Sequence, residues 1–199
     1  MSSNGRAAHR PSRKKEVVEA AIQVFADQGP QASIAEVAEA CGMSQASMYY
    51  HFASRNEIMA AAVHEAAHRM ELHTRTTTPE HGKLTTAEAV RTVWDWAATH
   101  PNEAKLLFVW SAPGAGLVRE ERRKMIDHYV GLARKRVPTP ANATRLDQAI
   151  ERLAARTYVS NSMGISEEWH AGRSIGGNLK RDEIVSALID VSNRIIGTS

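Results

Sequence analysis

Apolar residues recur every three or four positions along almost the whole chain, whereas the strict apolar–polar alternation of a strand is scarce. One such stripe ends at a Gly-Pro pair and consists of Val17, Ala20, Ala21, Val24 and Phe25. Further breaks rich in Gly or Pro divide the rest of the chain into segments of the same kind. The pattern predicts an all-α protein with helices at about 13–28, 34–41, 45–51, 55–76, 85–99, 101–111, 117–137, 144–169 and 181–196.

The segment 33–55 contains two short helices that are separated by a tight turn. Ser33 and Glu36 have the spacing of a capping box, in which each side chain satisfies a free backbone N–H at a helix start. Gly42 suits the left-handed conformation that ends a helix, and Ser44 is an N-cap for the second helix. Two short helices joined by a turn that contains Gly are typical of a helix-turn-helix.

The second of these helices has two chemically different faces. Met48 and Phe52 are four positions apart and are expected to pack inward. Gln, Ala and Ser side chains suit base edges, whereas Tyr, His and Arg groups suit phosphates, particularly at the first turn of the next helix. The residues predicted to contact DNA are Ser33, Ser44, Gln45, Ala46, Ser47, Tyr49, Tyr50, His51 and Arg55.

These residues resemble the N-terminal domain of the TetR family of transcriptional regulators. The family's pattern is Ile-Ala, then Ala-Gly-Val-Ser, a short helix that ends Leu-Tyr-x-His/Tyr-Phe, and a Lys soon after. The corresponding residues are Val37-Ala38, Cys41-Gly42-Met43-Ser44, Met48-Tyr49-Tyr50-His51-Phe52 and Arg55. The departures all keep volume class or charge, and the resemblance covers roughly residues 13–60.

The resemblance implies an N-terminal three-helix helix-turn-helix DNA-binding domain, joined by a linker helix to a helical ligand-binding and dimerisation domain. We predict a disordered basic arm at 1–12, the DNA-binding domain at 13–57 and the second domain at 58–199. A plainer interpretation, in which the short exposed helix merely caps a helical bundle, stays open.

Composition limits the remaining choices. The chain has 199 residues, 43% of them hydrophobic, which is enough for one or two domains with a sizeable core. The net charge of +3 does not by itself indicate nucleic acid, but residues 1–15 carry no acid and five cations, Arg6, Arg10, Arg13, Lys14 and Lys15. Such an arm either binds phosphate beside the recognition helix or is a solvated tail.

Cysteine usage and hydropathy predict a soluble cytoplasmic protein that does not bind membranes. A single cysteine, Cys41, excludes an intramolecular disulfide framework and is expected to be a small buried core residue rather than a redox sensor. No apolar run approaches the roughly 20 residues that span a bilayer, and no apolar signal segment follows the basic N-terminus.

Aromatic and Met side chains are concentrated in residues 85–137, where they share helix faces. Such side chains line either a plain core or a largely apolar small-molecule pocket, and the existence of a pocket rests more on the resemblance than on periodicity. The predicted pocket residues are Trp94, Leu107, Trp110, Met125, His128, Tyr129, Tyr158 and Asn161.

The last two helices carry apolar residues on more than one side, which indicates burial against both their own domain and another surface. TetR-like proteins use this arrangement for a four-helix interface between two subunits. The predicted homodimer interface consists of Ile150, Leu153, Thr157, Ile184, Leu188, Val191 and Ile195, and the alternative is a core within one chain.

The sequence offers two alternatives to a ligand-responsive regulator. His64-Glu65-Ala66-Ala67-His68 matches the zinc-protease pattern H-E-x-x-H, but a catalytic zinc needs a third ligand and an open cleft, and this pattern lies on the linker helix. A ligand-independent protein that packages DNA is the second alternative. We expect no metal, no cofactor and no enzymatic activity, but a regulator that is released from a palindromic DNA operator by a partly apolar small molecule, with repression implied by the resemblance.

Overall fold

A computed structural model describes residues 13–78 and 83–197 of the chain. Every regular element in these ranges is helical, which confirms the predicted all-α class. The helices are α1 (Arg13–Gln28), α2 (Ile34–Ala40), α3 (Gln45–His51), α4 (Arg55–Thr77), α5 (Thr86–Thr99), α6 (Pro101–Lys105), α7 (Gly116–Arg134), α8 (Arg145–His170) and α9 (Arg181–Ile196). The basic arm predicted at 1–12 lies outside the described residues.

The starts of α2 and α3 confirm the predicted caps. The Ser33 hydroxyl accepts from Glu36 N at 3.2 Å, and the Glu36 carboxylate accepts from Ser33 N at 2.6 Å, which completes the capping box. Gly42 has φ +64°, the left-handed conformation that lets the chain turn from α2 into α3. Cys41, predicted to be buried, is only partly buried, because it is the C-cap of α2 rather than part of the helix interior.

Helix α4 connects the two halves of the molecule. Its N-terminal half buries Ile58, Ala62 and Val63 against α1 in a cluster that also includes Met48 and Phe52. The same cluster continues into α6 and α7, so hydrophobic packing crosses the domain boundary predicted at 57/58. A second cluster lies between α5, α7, α8 and α9.

The predicted helix at 101–111 is present but changes its geometry partway. After α6 the chain makes a π-helical turn, Leu106–Trp110, in which Ser111 N donates to Leu106 O at 2.9 Å. The Arg122 side chain of α7 stabilises this turn by donating to Leu107 O at 2.7 Å and to the Ser111 hydroxyl at 2.8 Å. The turn directs Phe108 into the C-terminal half of the molecule, whereas Trp110 reaches back and donates to Ala26 O of α1 at 3.3 Å.

No helix within residues 13–78 and 83–197 is long and apolar enough to cross a membrane.

Candidate DNA-binding surface and effector cavity

Helix α3 exposes one face and buries the other. Met48 and Phe52 are 0% and 2% exposed, whereas Tyr49 and Tyr50 are 55% and 86% exposed. Gln45 and Ala46 are also exposed, and Ser47 and His51 are partly exposed. The helix therefore presents hydrogen-bonding and small side chains to solvent along a surface narrow enough to enter a DNA major groove.

Two of the predicted DNA contacts already hold helix starts. The Ser33 hydroxyl donates to the Glu36 carboxylate at 2.7 Å besides accepting from Glu36 N, so both its functions are used within the chain. The Ser44 hydroxyl accepts from Ser47 N at 3.2 Å, which leaves its hydrogen available to a phosphate. The structure thus supports a DNA contact at Ser44 better than at Ser33.

Arg55 has a structural role that the sequence did not predict. Its Nε donates to Ala32 O at 2.7 Å, and its guanidinium lies 5.7 Å from the centre of the Phe25 ring. These contacts attach the start of α4 to α1 and to the residue before the cap of α2. Truncation of Arg55 would therefore disturb the fold as well as any phosphate contact.

An apolar cavity lies in the C-terminal half, between α4, α5, α7, α8, α9 and the π turn. Its volume is about 70 Å³, so the cavity must widen to hold a drug-sized ligand, which needs roughly 300–1,000 Å³. Its lining, apolar with a few polar groups, has the character of a small-molecule site. It is lined by Met70, Thr74, Ala89, Val90, Val93, Trp94, Phe108, Tyr129, Leu132, Arg136, Tyr158, Val159, Ser162, Met163, Ser166 and Leu188.

Three of the eight predicted pocket residues, Trp94, Tyr129 and Tyr158, line this cavity. The structure places the other five elsewhere. Leu107 and Met125 belong to the core that faces the N-terminal helices, and the Trp110 ring packs on Gly29. His128 is exposed on α7 and lines a neighbouring cleft, and Asn161 lies beside the lining residue Ser162 without lining the cavity.

The few polar groups of the cavity are hydroxyls and one guanidinium. Burial raises the pKa of Tyr129 to about 12, so its hydroxyl stays protonated, 3.5 Å from the Thr74 hydroxyl. Burial also raises the pKa of Tyr158, and the buried Ser162 hydroxyl lies beside it without a hydrogen bond of normal geometry. Arg136 donates through Nε to Leu84 O at 2.8 Å. Among the residues that the structure describes, no Asp or Glu lines this cavity.

Sequence reasoning missed most of the lining residues. Met70 and Thr74 come from the linker helix, and Arg136 follows the last residue of α7 by two positions. Met70 and Leu132 have the spacing of apolar helix faces, but nothing in the sequence indicates which cluster those faces meet. For Arg136 the sequence contains no signal, because a cation after a helix end is normally solvated.

A titratable ring packs behind the cavity. His170 stacks on Phe108 at 5.4 Å between ring centres and lies 6.4 Å from Trp94. Burial lowers the pKa of His170 from 6.5 to about 4. Above pH 6.5 the ring is neutral in both states, whereas between pH 6.5 and 4 only the unfolded chain takes up the proton, so the folded state loses stability as the pH falls through this window.

We expect His170→Phe to remove this loss while keeping the aromatic stack. The full pKa difference of His170 corresponds to about 3 kcal/mol of unfolding free energy. Because solvent reaches part of the ring, we expect wild type to lose about 1–2 kcal/mol of that free energy through this histidine as the pH falls. Urea unfolding at pH 8 and pH 4.5 measures it, with exposed His68→Phe as the matched control. A difference between wild type and His170→Phe that is the same at both pH values would contradict the burial of a neutral ring.

The predicted dimer residues fall into two groups. On α8, Ile150 and Leu153 are 52% and 66% exposed, Thr157 is exposed, and Leu146 continues the stripe at 69%. On α9, Val191 is 44% exposed and Ile195 is partly exposed. Ile184 and Leu188 are each 4% exposed because they pack inside their own chain, and Leu188 lines the cavity. These two residues are core rather than surface.

The His64–His68 pattern does not assemble a metal site. The His64 ring lies 2.9 Å from the Glu121 carboxylate, and Glu65 accepts from Arg69 at 2.9 Å. His64 therefore contacts a side chain of α7, and Glu65 contacts another side chain of α4. Within the described ranges, no group of three or more His, Cys, Asp or Glu side chains has the geometry to hold a metal ion.

The helix-turn-helix and the whole fold each resemble known proteins. Residues 17–62 match the family model described as bacterial regulatory proteins, tetR family. The chain is also 26% identical over 129 residues to the uncharacterized HTH-type transcriptional regulator TtgW of Pseudomonas putida, and the match covers 62% of this chain and 93% of that protein.

Solved structures share the architecture across nearly the full length. A transcriptional regulator from a Rhodococcus species superposes with a TM-score of 0.71 at 17% identity, covering 94% of this chain and 97% of that one. A tetR-family regulator from Streptomyces coelicolor gives 0.69 at 21% identity, with 94% and 82% covered. The multidrug binding protein EbrR, complexed with imidazole, gives 0.62 at 20% identity, with 94% and 96% covered.

The capped helix-turn-helix, the exposed face of α3 and the all-helical fold therefore agree with these comparisons. Family and fold are those of transcriptional regulators rather than enzymes. Residues 17–62 belong to the TetR family of transcriptional regulators, and the described chain has the fold of TetR-family structures.

Proposed function

We propose that this regulator binds a palindromic DNA operator as a homodimer and releases it when a small molecule occupies the cavity. The observation that carries the proposal is the division of α3, which buries Met48 and Phe52 and leaves Gln45, Tyr49 and Tyr50 exposed to solvent. The exposed face has the kinds of side chain that read base edges and hold phosphates.

In this proposal the exposed stripe on α8 and α9 joins two chains. A two-fold axis between them would present two copies of α3 to successive major grooves, about 34–36 Å apart. Gln45, Ala46 and Ser47 would face bases, and Ser44, Tyr49, Tyr50 and His51 would face the backbone. The basic residues at the start of α1, Lys14 and Lys15, would add phosphate attraction from the flank.

Two continuous connections would couple the cavity to α3. Helix α4 begins beside α3, where Arg55 contacts α1, and its far half contributes Met70 and Thr74 to the cavity. The π turn contributes Phe108 to the cavity and bonds α1 through Trp110. A ligand that fits only one arrangement of these elements would shift the spacing of the two α3 helices and lower DNA affinity. EbrR, described as a multidrug binding protein, offers a precedent for ligand binding in this fold.

Substitutions on α3 test the DNA contacts. We expect Gln45→Ala to weaken binding to the DNA upstream of the protein's own gene about 10-fold and to leave binding to random DNA unchanged, because a base contact is lost. Tyr50→Phe removes only a phosphate donor, so it should weaken both by a similar, smaller factor. Gln148→Ala on exposed α8 is the matched control. Fluorescence anisotropy measures all four proteins.

If this protein instead packages DNA independently of a ligand, the same measurements give a different result. Wild type would then bind random DNA nearly as well as the upstream DNA, and Gln45→Ala would change neither affinity. Equal affinities of Gln45→Ala and Gln148→Ala for the upstream DNA would refute the assignment of α3 as the reading helix.

A further inference from the structure

Arg136 is the one guanidinium among the described residues of the cavity lining, and this lining has no acidic residue to balance it. Within residues 13–78 and 83–197, no carboxylate forms an ion pair with Arg136. Its Nε is used by Leu84 O, and burial lowers the pKa of the guanidinium. A partly buried cation without a counter-ion is costly, so among the described residues the charge of Arg136 is not balanced.

Two hydroxyl groups line the cavity together with this cation. Tyr158 lies close enough to interact electrostatically with Arg136, and Ser162 is one turn further along α8, beside the Tyr158 hydroxyl. The Ser162 hydroxyl is buried without a hydrogen bond of normal geometry. Arg136, Tyr158 and Ser162 together supply N–H and O–H donors to a cavity whose lining is mostly apolar.

A cleft beside the cavity is also basic. It shares Thr74, Leu132 and Arg136 with the cavity. Among the residues that the structure describes, its charged lining consists of one acid, Glu71, and four bases, Arg75, Lys83, Lys135 and Arg136. A cleft with an excess of positive charge raises the local concentration of anions at its base.

We propose that the effector of this regulator is an organic anion, a carboxylate on an apolar body, whose carboxylate is bound by Arg136. The carboxylate pairs with the two terminal nitrogens of the guanidinium and accepts from the Tyr158 or Ser162 hydroxyl, and the apolar body lies among Trp94, Phe108 and Met163. The inference rests on the proposed role of the cavity as the effector site.

Two matched sets of ligands test the charge preference. We use 4-phenylbutanoate, 4-phenylbutanamide and 4-phenylbutylamine, and decanoate, decanamide and decylamine, each titrated by calorimetry into the DNA-free protein at pH 7. We expect at least one carboxylate to bind about 10- to 100-fold more tightly than its amide and amine, because a hydrogen bond to a buried charge discriminates by that factor. The two sets also distinguish an aromatic from an aliphatic body.

Variants identify the group responsible. Arg136→Met should reduce the preference for the carboxylate over the amide to less than about threefold, because the amide does not depend on the cation. Arg136→Lys keeps the charge and should retain part of the preference even if the bond to Leu84 is lost. Arg91→Met, an exposed cation of α5 that lines neither the cavity nor the cleft, is the control and should leave the preference unchanged.

The outcomes separate this inference from the proposed function. Amines or amides that bind as well as the carboxylates, no binding of either carboxylate at millimolar concentration, or a preference that survives Arg136→Met would each overturn it. Operator affinity is measured separately with the same compounds. Selective carboxylate binding without DNA release would support Arg136 as the carboxylate site and contradict ligand-induced release. Release of DNA by an amine would support ligand-induced release and contradict the preference for an anion.

Discussion

The double substitution Ile150→Glu with Leu153→Glu should convert a dimer into a monomer and lower operator affinity by about 10²–10⁴-fold. Both side chains are more than half exposed on α8, one turn apart, and Leu146 extends the same stripe. Four carboxylates at the centre of a two-fold interface would be desolvated next to one another, which excludes association. The loss in affinity follows because the second half-site is no longer bound within one molecule.

Sedimentation at micromolar concentration and anisotropy on the upstream DNA measure the two effects, with far-UV circular dichroism as the check on folding. Leu72→Glu is the matched control, because Leu72 is 50% exposed on α4, away from the stripe. A double variant that still sediments as a dimer, or a wild type that sediments as a monomer, would contradict the assignment of this surface.

Arg69→Met should lower the free energy of unfolding by about 2–3 kcal/mol. Arg69 of α4 donates to Glu65 at 2.9 Å and to Glu103 of α6 at 3.0 Å, and it also pairs with Glu19 of α1. The Glu103 side chain is only 10% exposed, so removal of the cation leaves a carboxylate nearly buried and unpaired. Breaking a fully buried pair costs about 3–5 kcal/mol, and partial exposure of the other partners reduces that value.

A double-mutant cycle with Glu103→Gln isolates the cause, since the neutral amide should recover much of the loss in Arg69→Met. Arg156→Met is the control, because its ion pair with Asp127 is about half exposed on both sides and should contribute less than about 1 kcal/mol. Urea unfolding provides all the values. Equal losses in Arg69→Met and Arg156→Met would show that the three-helix network contributes no more than a surface ion pair.

The helices and the helix-turn-helix were predictable because their determinants are local. Ser33 with Glu36, Gly42 and Ser44 determine where α2 and α3 begin and end through contacts within four residues. The opposite faces of α3 likewise follow from 3.6-residue periodicity. For such elements, side-chain spacing along the sequence corresponds directly to position in the fold.

The cavity was predictable only in part because it depends on contacts between distant helices. Periodicity placed Leu107, Trp110 and Tyr129 on apolar faces, but only packing decides that Tyr129 meets the cavity while Leu107 and Trp110 meet the N-terminal core. The π turn also made the cavity lining harder to predict, because it rotates Phe108 relative to its position in a regular helix.

Helix α9 and Arg55 show the same limit of local reasoning. Helix α9 is apolar on two sides, and the sequence does not show that Leu188 faces inward while Val191 faces solvent. Arg55 was predicted to bind phosphate from its position at a helix start, but its contact with Ala32 O is with a residue 23 positions away.

In the proposed complex two copies of α3 read two adjacent turns of DNA. A hydroxyl-radical footprint of the wild-type protein on the DNA upstream of its own gene is the decisive test. We predict two equally protected half-sites related by a two-fold axis and separated by about one helical turn, 10–10.5 base pairs, or a multiple of it. A single protected half-site, or uniform protection without phase, would show that two copies of α3 do not read adjacent turns.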